Sequence, residues 1–262
     1  MYAELVKSLT SNRLFIWSMA TYDLKTLNKG SILGLAWVMI NPIIRVSIYV
    51  IIVSFIFGQR LGPDSGPFDY GIYVLSGMIP WQILTKALED SPSILRNRQE
   101  FIKQVVFPVE TLPLTSIIVG SFGSLVSLIL LLALALFDGS LSLSILLLPI
   151  PFLLLVLFIL GVSWLFSVVG VLFKDLREMV GVLLSLMVYA SPVIASEEMV
   201  GATIWKFILM NPLSHIVICF RDVFYGDFNP TSWVIFSFIT LISLLTGGFV
   251  IARAKIVINE YI

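Results

Sequence analysis

Histidine and cysteine are almost missing from this chain: its 262 residues include one of each, His215 and Cys219. A lone cysteine excludes an internal disulfide and a Cys-based metal cluster, and a lone histidine excludes a multi-histidine site. Charge is scarce too. Asp, Glu, Lys and Arg make up only 12% of the chain, about half the usual share for a soluble domain. The 16 basic and 16 acidic residues cancel, so no net basic field points to nucleic acid. The dipeptide Gly-Lys does not occur, which removes any Gly-x-x-x-x-Gly-Lys-[Ser/Thr] phosphate loop. If ATP drives this protein, another chain must bind it.

What remains is apolar. Hydrophobic residues account for 58% of the chain, and the mean hydropathy is +1.03. One aqueous core cannot hide that much apolar surface, so the solvent is a lipid bilayer. This excludes a cytosolic enzyme, a secreted disulfide scaffold and a disordered tail. A span needs about 20 apolar residues. Six runs qualify: 32–57, 70–88, 112–137, 143–173, 179–195 and 233–252. The second and fifth are short. The fourth carries Pro149 and Pro151, which predicts tilt or a broken first turn. None shows the strict alternation of barrel strands. The expected fold is therefore an all-α integral membrane protein with six transmembrane helices. Residues 1–31 lack a compact apolar stretch ending in a cleavage site, so the first span is expected to insert uncleaved.

Basic residues set the orientation. Eleven fall on one side: Lys7, Arg13, Lys25, Lys29, Arg96, Arg98, Lys103, Lys174, Arg177, Arg253 and Lys255. The other side has three, Arg60, Lys206 and Arg221. Both termini are expected in the cytoplasm.

The segments between spans carry patterns of their own. In residues 1–31, Leu5, Leu9, Ile16, Ala20, Leu24 and Leu27 share one helical face, with Asp23 intruding. This predicts an amphipathic helix, lying either on the inner leaflet or against the protein's own cytoplasmic face. Ser91-Pro92 opens and Pro108 closes a charged cytoplasmic segment. Its Arg96, Arg98, Glu100, Phe101, Ile102 and Lys103 are candidates for docking and coupling to a motor subunit, with Lys174, Asp175 and Arg177 on the flank. Segment 196–232 has two apolar stretches too short to cross, divided by Asn211-Pro212 and ended by Gly226 and Asn229-Pro230. Two short helices dipping into the outer leaflet fit it better than a seventh span.

Two chemical readings compete inside the spans. Gly161-Val162-Ser163-Trp164, with His215 later, has the residue types of a serine hydrolase. The match is weak, because small residues are common in membrane helices. Intramembrane charges are the stronger signal. Arg45 lies near the middle of the first span with no acid nearby in sequence, whereas Lys86 precedes Glu89 and Asp90 by three and four residues. That spacing allows a helix-face ion pair, and Lys86 also fits snorkelling to the inner interface. Arg45, Tyr49, Tyr73 and Tyr189 are candidates for lining a substrate path, with Trp37 and Trp81 nearer its mouths.

A set of motifs now forms a pattern. In order they are Lys29-Gly30-Ser31-Ile32-Leu33-Gly34-Leu35-Ala36-Trp37 with Asn41-Pro42, Gly77-Met78-Ile79-Pro80-Trp81, Phe107-Pro108-Val109-Glu110, Phe173-Lys174-Asp175-Leu176-Arg177-Glu178 and Ser191-Pro192. The last is Asn211-Pro212-Leu213 with Arg221-Asp222 and Tyr225-Gly226. In their order and spacing the chain resembles the permease subunits of type-2 ABC exporters that move polysaccharides, the O-antigen, capsule and teichoic-acid exporters. Lys174 departs from the Arg more usual in that family. The resemblance implies a homodimer in the bacterial inner membrane, two copies of an ATP-binding cassette subunit, and a channel for a lipid-linked polysaccharide. ATP and Mg would sit on that partner, with no cofactor or metal in this chain. It also implies an external gate, for which Asn211, Pro212, His215 and Arg221 are candidates. The alternatives are an exporter of drugs or lipids, a channel or secondary carrier, and an intramembrane hydrolase.

Overall fold

The structure is a computed structural model describing residues 2–27, 29–52, 66, 68–99 and 108–261, and only the backbone of residues 35, 49 and 255–261. The described residues are helical, with no strand among them. In chain order the helices are α1 (Tyr2–Ser11), α2 (Arg13–Thr26), α3 (Trp37–Val50), α4 (Asp69–Asp90) and the single turn α5 (Ile94–Asn97). They continue with α6 (Leu112–Asp138), α7 (Pro149–Leu172), α8 (Leu176–Met187), α9 (Glu197–Met210), α10 (Ser214–Tyr225) and α11 (Pro230–Tyr261).

Three stretches are long and apolar enough to cross a membrane by themselves: Val109–Asp138, Leu143–Leu172 and Pro230–Ala254. The pair α9 and α10, bent by 116°, makes a fourth if taken as one broken span. The shortfall from the expected six lies in three helices. α3 starts at Trp37 and not at Ile32, because Gly34 turns with φ +48° and Ile32 is left fully exposed, and residues 53–57 of the expected run lie outside the described residues. α4 has 22 residues, about 33 Å of helix, but Gln82, Lys86, Glu89 and Asp90 make it polar. α8 stops at Met187, short of the expected Ala195. Pro192 explains the stop, since its ring would collide with the Val188 carbonyl in a continuous helix. The Ser191 hydroxyl donates to that carbonyl at 2.7 Å. In the fourth run, Leu143–Leu147 is a 3₁₀ turn and the α-helix begins at Pro149, the broken first turn that the prolines predict.

α4 is the axis of the bundle. It buries residues on all sides, from Tyr70 through Leu88, as expected of a helix packed by neighbours all round. α6, α7 and α10 pack on it, with α3 and α8 alongside. Among the described helices, α7 and α11 pack on each other most extensively. A Cβ on Gly247 would strike the Gly161 carbonyl, and one on Gly161 would strike the Ser243 backbone. Further along α7, Gly170 sits directly against the Pro92 backbone in the corner after α4.

The amino-terminal segment is two helices broken at Asn12, whose side chain donates back to the Ser8 carbonyl (2.8 Å). Its predicted apolar face is turned onto the protein. Leu5, Ile16 and Ala20 are buried, and Met19 packs with Leu95, Val109 and Leu112. Leu27, expected on the same face, is half exposed beyond the end of α2. The outward side presents Leu14, Trp17 and Tyr22, a surface suited to lipid and not to water.

Candidate functional site

Polar side chains concentrate in two places, one at each end of α4. At the Asp90 end, a groove of about 410 Å³ opens between α3, α4 and α6. α3 contributes Trp37, Asn41 and Arg45, which sit at spacings of four on one helix face. α4 contributes Gln82, Thr85, Lys86 and Glu89, again one face. α6 supplies a floor of Gly120, Gly123 and Ser124, whose glycines let Lys86 and Pro42 approach closely.

Ion pairs frame this end. Lys86 binds Asp90 at 3.0 Å, the pair its spacing allows. Asp90 also takes Arg177 from α8 at 3.5 Å. Arg98, just beyond α5, donates from one guanidinium nitrogen to both carboxylate oxygens of Asp23 on α2. Asp23 therefore interrupts the apolar stripe because it is the counter-charge for Arg98. Three segments far apart in sequence meet on one charged surface. A double-mutant cycle on Asp23→Asn and Arg98→Gln, read by thermal unfolding in detergent, should give a coupling of about 1 kcal/mol. Additive losses would mean the pair contributes nothing. Lys174 and Asp175 lie exposed in the turn before α8. Arg96 is half-buried, with one guanidinium nitrogen that has no partner among the described residues. Glu100, Phe101, Ile102 and Lys103 lie outside the described residues.

At the Asp69 end the irregular backbone after α8 is held by side chains. Tyr70 donates to the Ile194 carbonyl and Tyr73 to that of Ala195, each at 3.1 Å. Arg221 lies over the Tyr73 ring, 3.4 Å from its centre, and donates to the carbonyls of Tyr73 (3.1 Å) and Val193 (3.3 Å). Asn211 donates to Ala190 at 3.0 Å and caps the following turn by accepting from Leu213. Unwound backbone survives at membrane depth only when its polar groups are met inside the protein, and these four side chains do that. Gly226 ends α10 with φ +82°, and Asp222 accepts from Asn229 N and Trp233 Nε1, both at 2.9 Å. Asn229 then caps α11, which has Pro230 as its first residue. Gly201 interrupts α9 with φ +76°.

The candidate path residues separate accordingly. Trp37 and Arg45 line the groove, and Tyr73 belongs to the Arg221 cluster. Trp81 is buried against Val193 and Val217, while Tyr189 is 78% exposed on the outer surface. The Tyr49 side chain lies outside the described residues. Among the candidate gate residues, Pro212 is exposed in the turn, and buried His215 pairs its Nδ1 with Ser232 Oγ at 3.1 Å. Sequence reading missed Tyr70, Gln82, Thr85 and Tyr225, whose hydroxyl donates to the Asp69 carbonyl at 3.2 Å and whose ring lies 6.4 Å from that of Tyr73. For Gln82 and Thr85, the signal was polar residues at spacings of three and four through Lys86.

The hydrolase reading loses its geometry. Ser163 is fully buried, 2.7 Å from Ser91 Oγ, and His215 has its own serine. Gly161 serves the α7–α11 crossing. Ser163→Ala should cost about 1 kcal/mol of stability, one buried hydrogen bond, and leave transport intact. A variant as stable as wild type but inactive would revive the hydrolase.

A bent, unwound segment held inside a bundle of apolar helices, with a charged surface at the opposite end, describes a membrane transport subunit. Comparison with known proteins names the class. The family model described as ABC-2 type transporter matches residues 16–225, most of the chain, and the protein belongs to that family. Among curated relatives, the O-antigen export system permease protein RfbA of Klebsiella pneumoniae is 26% identical over 228 residues, 86% of each chain. RfbA of Myxococcus xanthus is 24% identical over 230 residues, 87% of this chain and 86% of its own. The polysialic acid transport protein KpsM of Escherichia coli is 23% identical over 222 residues, covering 82% of this chain and 83% of its own.

Proposed function

We propose that this chain is the permease of an ATP-driven exporter that moves a lipid-linked polysaccharide across the bacterial inner membrane. The observation that carries the reading is the charged surface on which α2, α5 and α8 converge through Asp23–Arg98 and Asp90–Arg177, in a chain with no phosphate loop of its own. A permease without nucleotide chemistry needs such a rigid, polar face to receive a separate motor. The similarity to O-antigen and polysialic acid transport proteins supports polysaccharide as the cargo. In this reading two copies pair to enclose the channel, two ATP-binding cassette subunits supply ATP and Mg, and the six apolar runs each cross the membrane with both termini in the cytoplasm. α3, α4 and α8 complete the count with help from lipid-facing neighbours. α9 and α10 form the external gate.

Deleting the gene and analysing the cell envelope tests this reading. Loss of surface polysaccharide, with glycan accumulating inside and rescue by the wild-type gene, is expected. Normal surface polysaccharide with loss of a drug- or lipid-efflux phenotype would shift the cargo to the alternative. The purified chain alone should not hydrolyse ATP.

A further inference from the structure

The groove at the Asp90 end contains a charge that the fold does not neutralise. Arg45 makes no hydrogen bond and no ion pair among the described residues, and it is exposed on α3. A guanidinium on a membrane-embedded helix is costly unless it meets water or an anion. The other cation of the groove, Lys86, is already bound to Asp90. The groove of about 410 Å³ stays open beside Arg45, while Gly120 and Gly123 of α6 let Lys86 and Pro42 pack close along its floor.

The geometry indicates what would enter. Trp37 and Arg45 are eight residues apart on one face, about 12 Å along the helix. Trp37 marks the end near Lys86 and Glu89, and Arg45 lies deeper. Between them Asn41 and Gln82 present neutral amide donors, while Thr85, whose hydroxyl donates to the Trp81 carbonyl at 2.8 Å, adds only an acceptor. The neighbouring faces of α3 expose Met39, Ile43, Ile44 and Ile48. One ligand therefore meets a cation, neutral donors and an apolar surface together.

We propose that this groove binds the phosphate group of a membrane lipid, with Arg45 recognising the phosphate and the acyl or isoprenyl tail lying along the exposed apolar side of α3. Guanidinium matches phosphate oxygens in a two-point, charge-assisted contact. Glu89 acts against the anion and tunes affinity downward, so that the ligand is held but releasable. The source of the phosphate is either the diphosphate linking cargo to its lipid, which rests on the export reading, or a bulk anionic phospholipid, which does not.

Native mass spectrometry of the purified full chain in detergent, titrated with lipids, separates these outcomes. The probes are phosphatidylglycerol, a long-chain alkyl diphosphate and uncharged diacylglycerol. Both phosphate lipids should bind more tightly than diacylglycerol, and Arg45→Gln should weaken that binding about tenfold or more, the usual size for a lost charge-assisted contact. Glu89→Gln should tighten it several-fold, a gain that misfolding cannot produce. A clear preference for the diphosphate assigns the site to cargo, and equal binding assigns it to phospholipid. Equal uptake of diacylglycerol, or affinities unmoved by both variants, overturns the proposal while leaving the gene-deletion result untouched. Normal surface polysaccharide after deletion would remove the export reading and leave a phosphate-lipid site standing.

Discussion

Gly247→Ala is expected to cost the protein most of its folded yield in detergent. The alanine methyl would land on the Gly161 carbonyl, and backbone cannot rotate away as a side chain can. α7 and α11 would have to separate. Membrane helices gain their association from close packing and short polar contacts, not from exclusion of water. Separation would loosen the edge-on contact of Phe158 with Phe236, whose ring centres are 6.3 Å apart. It would also lengthen the 3.4 Å bond from Ser243 to the Phe158 carbonyl. Overpacking costs typically about 1–3 kcal/mol, and a clash with backbone belongs at or above the upper end. Gly161→Ala, against Ser243 and Leu244, should behave alike. Gly123→Ala is the control. Its methyl would meet Pro42 at an ordinary 3.5 Å, and alanine gains helix propensity of up to about 1 kcal/mol. Size-exclusion profiles and melting temperatures of the three variants give the test. A Gly247→Ala protein as stable as the control would mean the crossing is not this close.

Much of this architecture was legible because its causes are local. α6 and α11 follow apolar runs bounded by Pro113, Gly139 and Asn229-Pro230, residues whose backbone preferences act within one turn. The broken start of the fourth run follows from Pro149 and Pro151 in the same way. The Lys86–Asp90 pair needs only helical spacing. What the sequence concealed depends on partners distant along the chain. Asp23 looked like a flaw in a stripe until Arg98, 75 residues away, was brought beside it. Tyr73 and Arg221 suggested a path and a gate as separate features, and the fold stacks them 3.4 Å apart. Gly77, part of a recognisable motif, has a physical reason visible only in space: a Cβ there would press on Val217, Arg221 and Val193. Hydropathy read 179–195 as one run, because it registers lipid-compatible side chains and is blind to a proline's effect on the carbonyl four residues earlier.

Arg221→Gln should release the unwound segment 188–196. Arg221 holds that segment by its donation to Val193, and it holds α4 by the Tyr73 carbonyl and ring. Hydrogen bonds from a charged donor contribute about 1.5–3 kcal/mol each, and a desolvated cation–π contact adds up to about 2 kcal/mol. These values are not additive, so a loss of about 3 kcal/mol is expected, felt mainly in this segment. Tyr73→Phe removes one neutral hydrogen bond to Ala195 and keeps the ring under the guanidinium, so about 1 kcal/mol should go. Arg221→Lys keeps the charge but gives up the planar guanidinium that lies over the Tyr73 ring and brings one terminal nitrogen to both carbonyls, and it should fall nearer to Gln than to wild type. Amide hydrogen exchange resolves the order: protection of 188–196 should drop most in Arg221→Gln, less in Arg221→Lys and least in Tyr73→Phe. Exchange in α7 and α11 should stay unchanged in all three, because their crossing lies on other contacts. Unchanged protection of 188–196 in Arg221→Gln would show that Tyr70, Tyr73 and Asn211 hold the segment without it. A uniform rise across the whole chain would show that Arg221 supports the fold as a whole and not this segment, which removes the physical basis for treating the bent α9–α10 region as a separately movable gate.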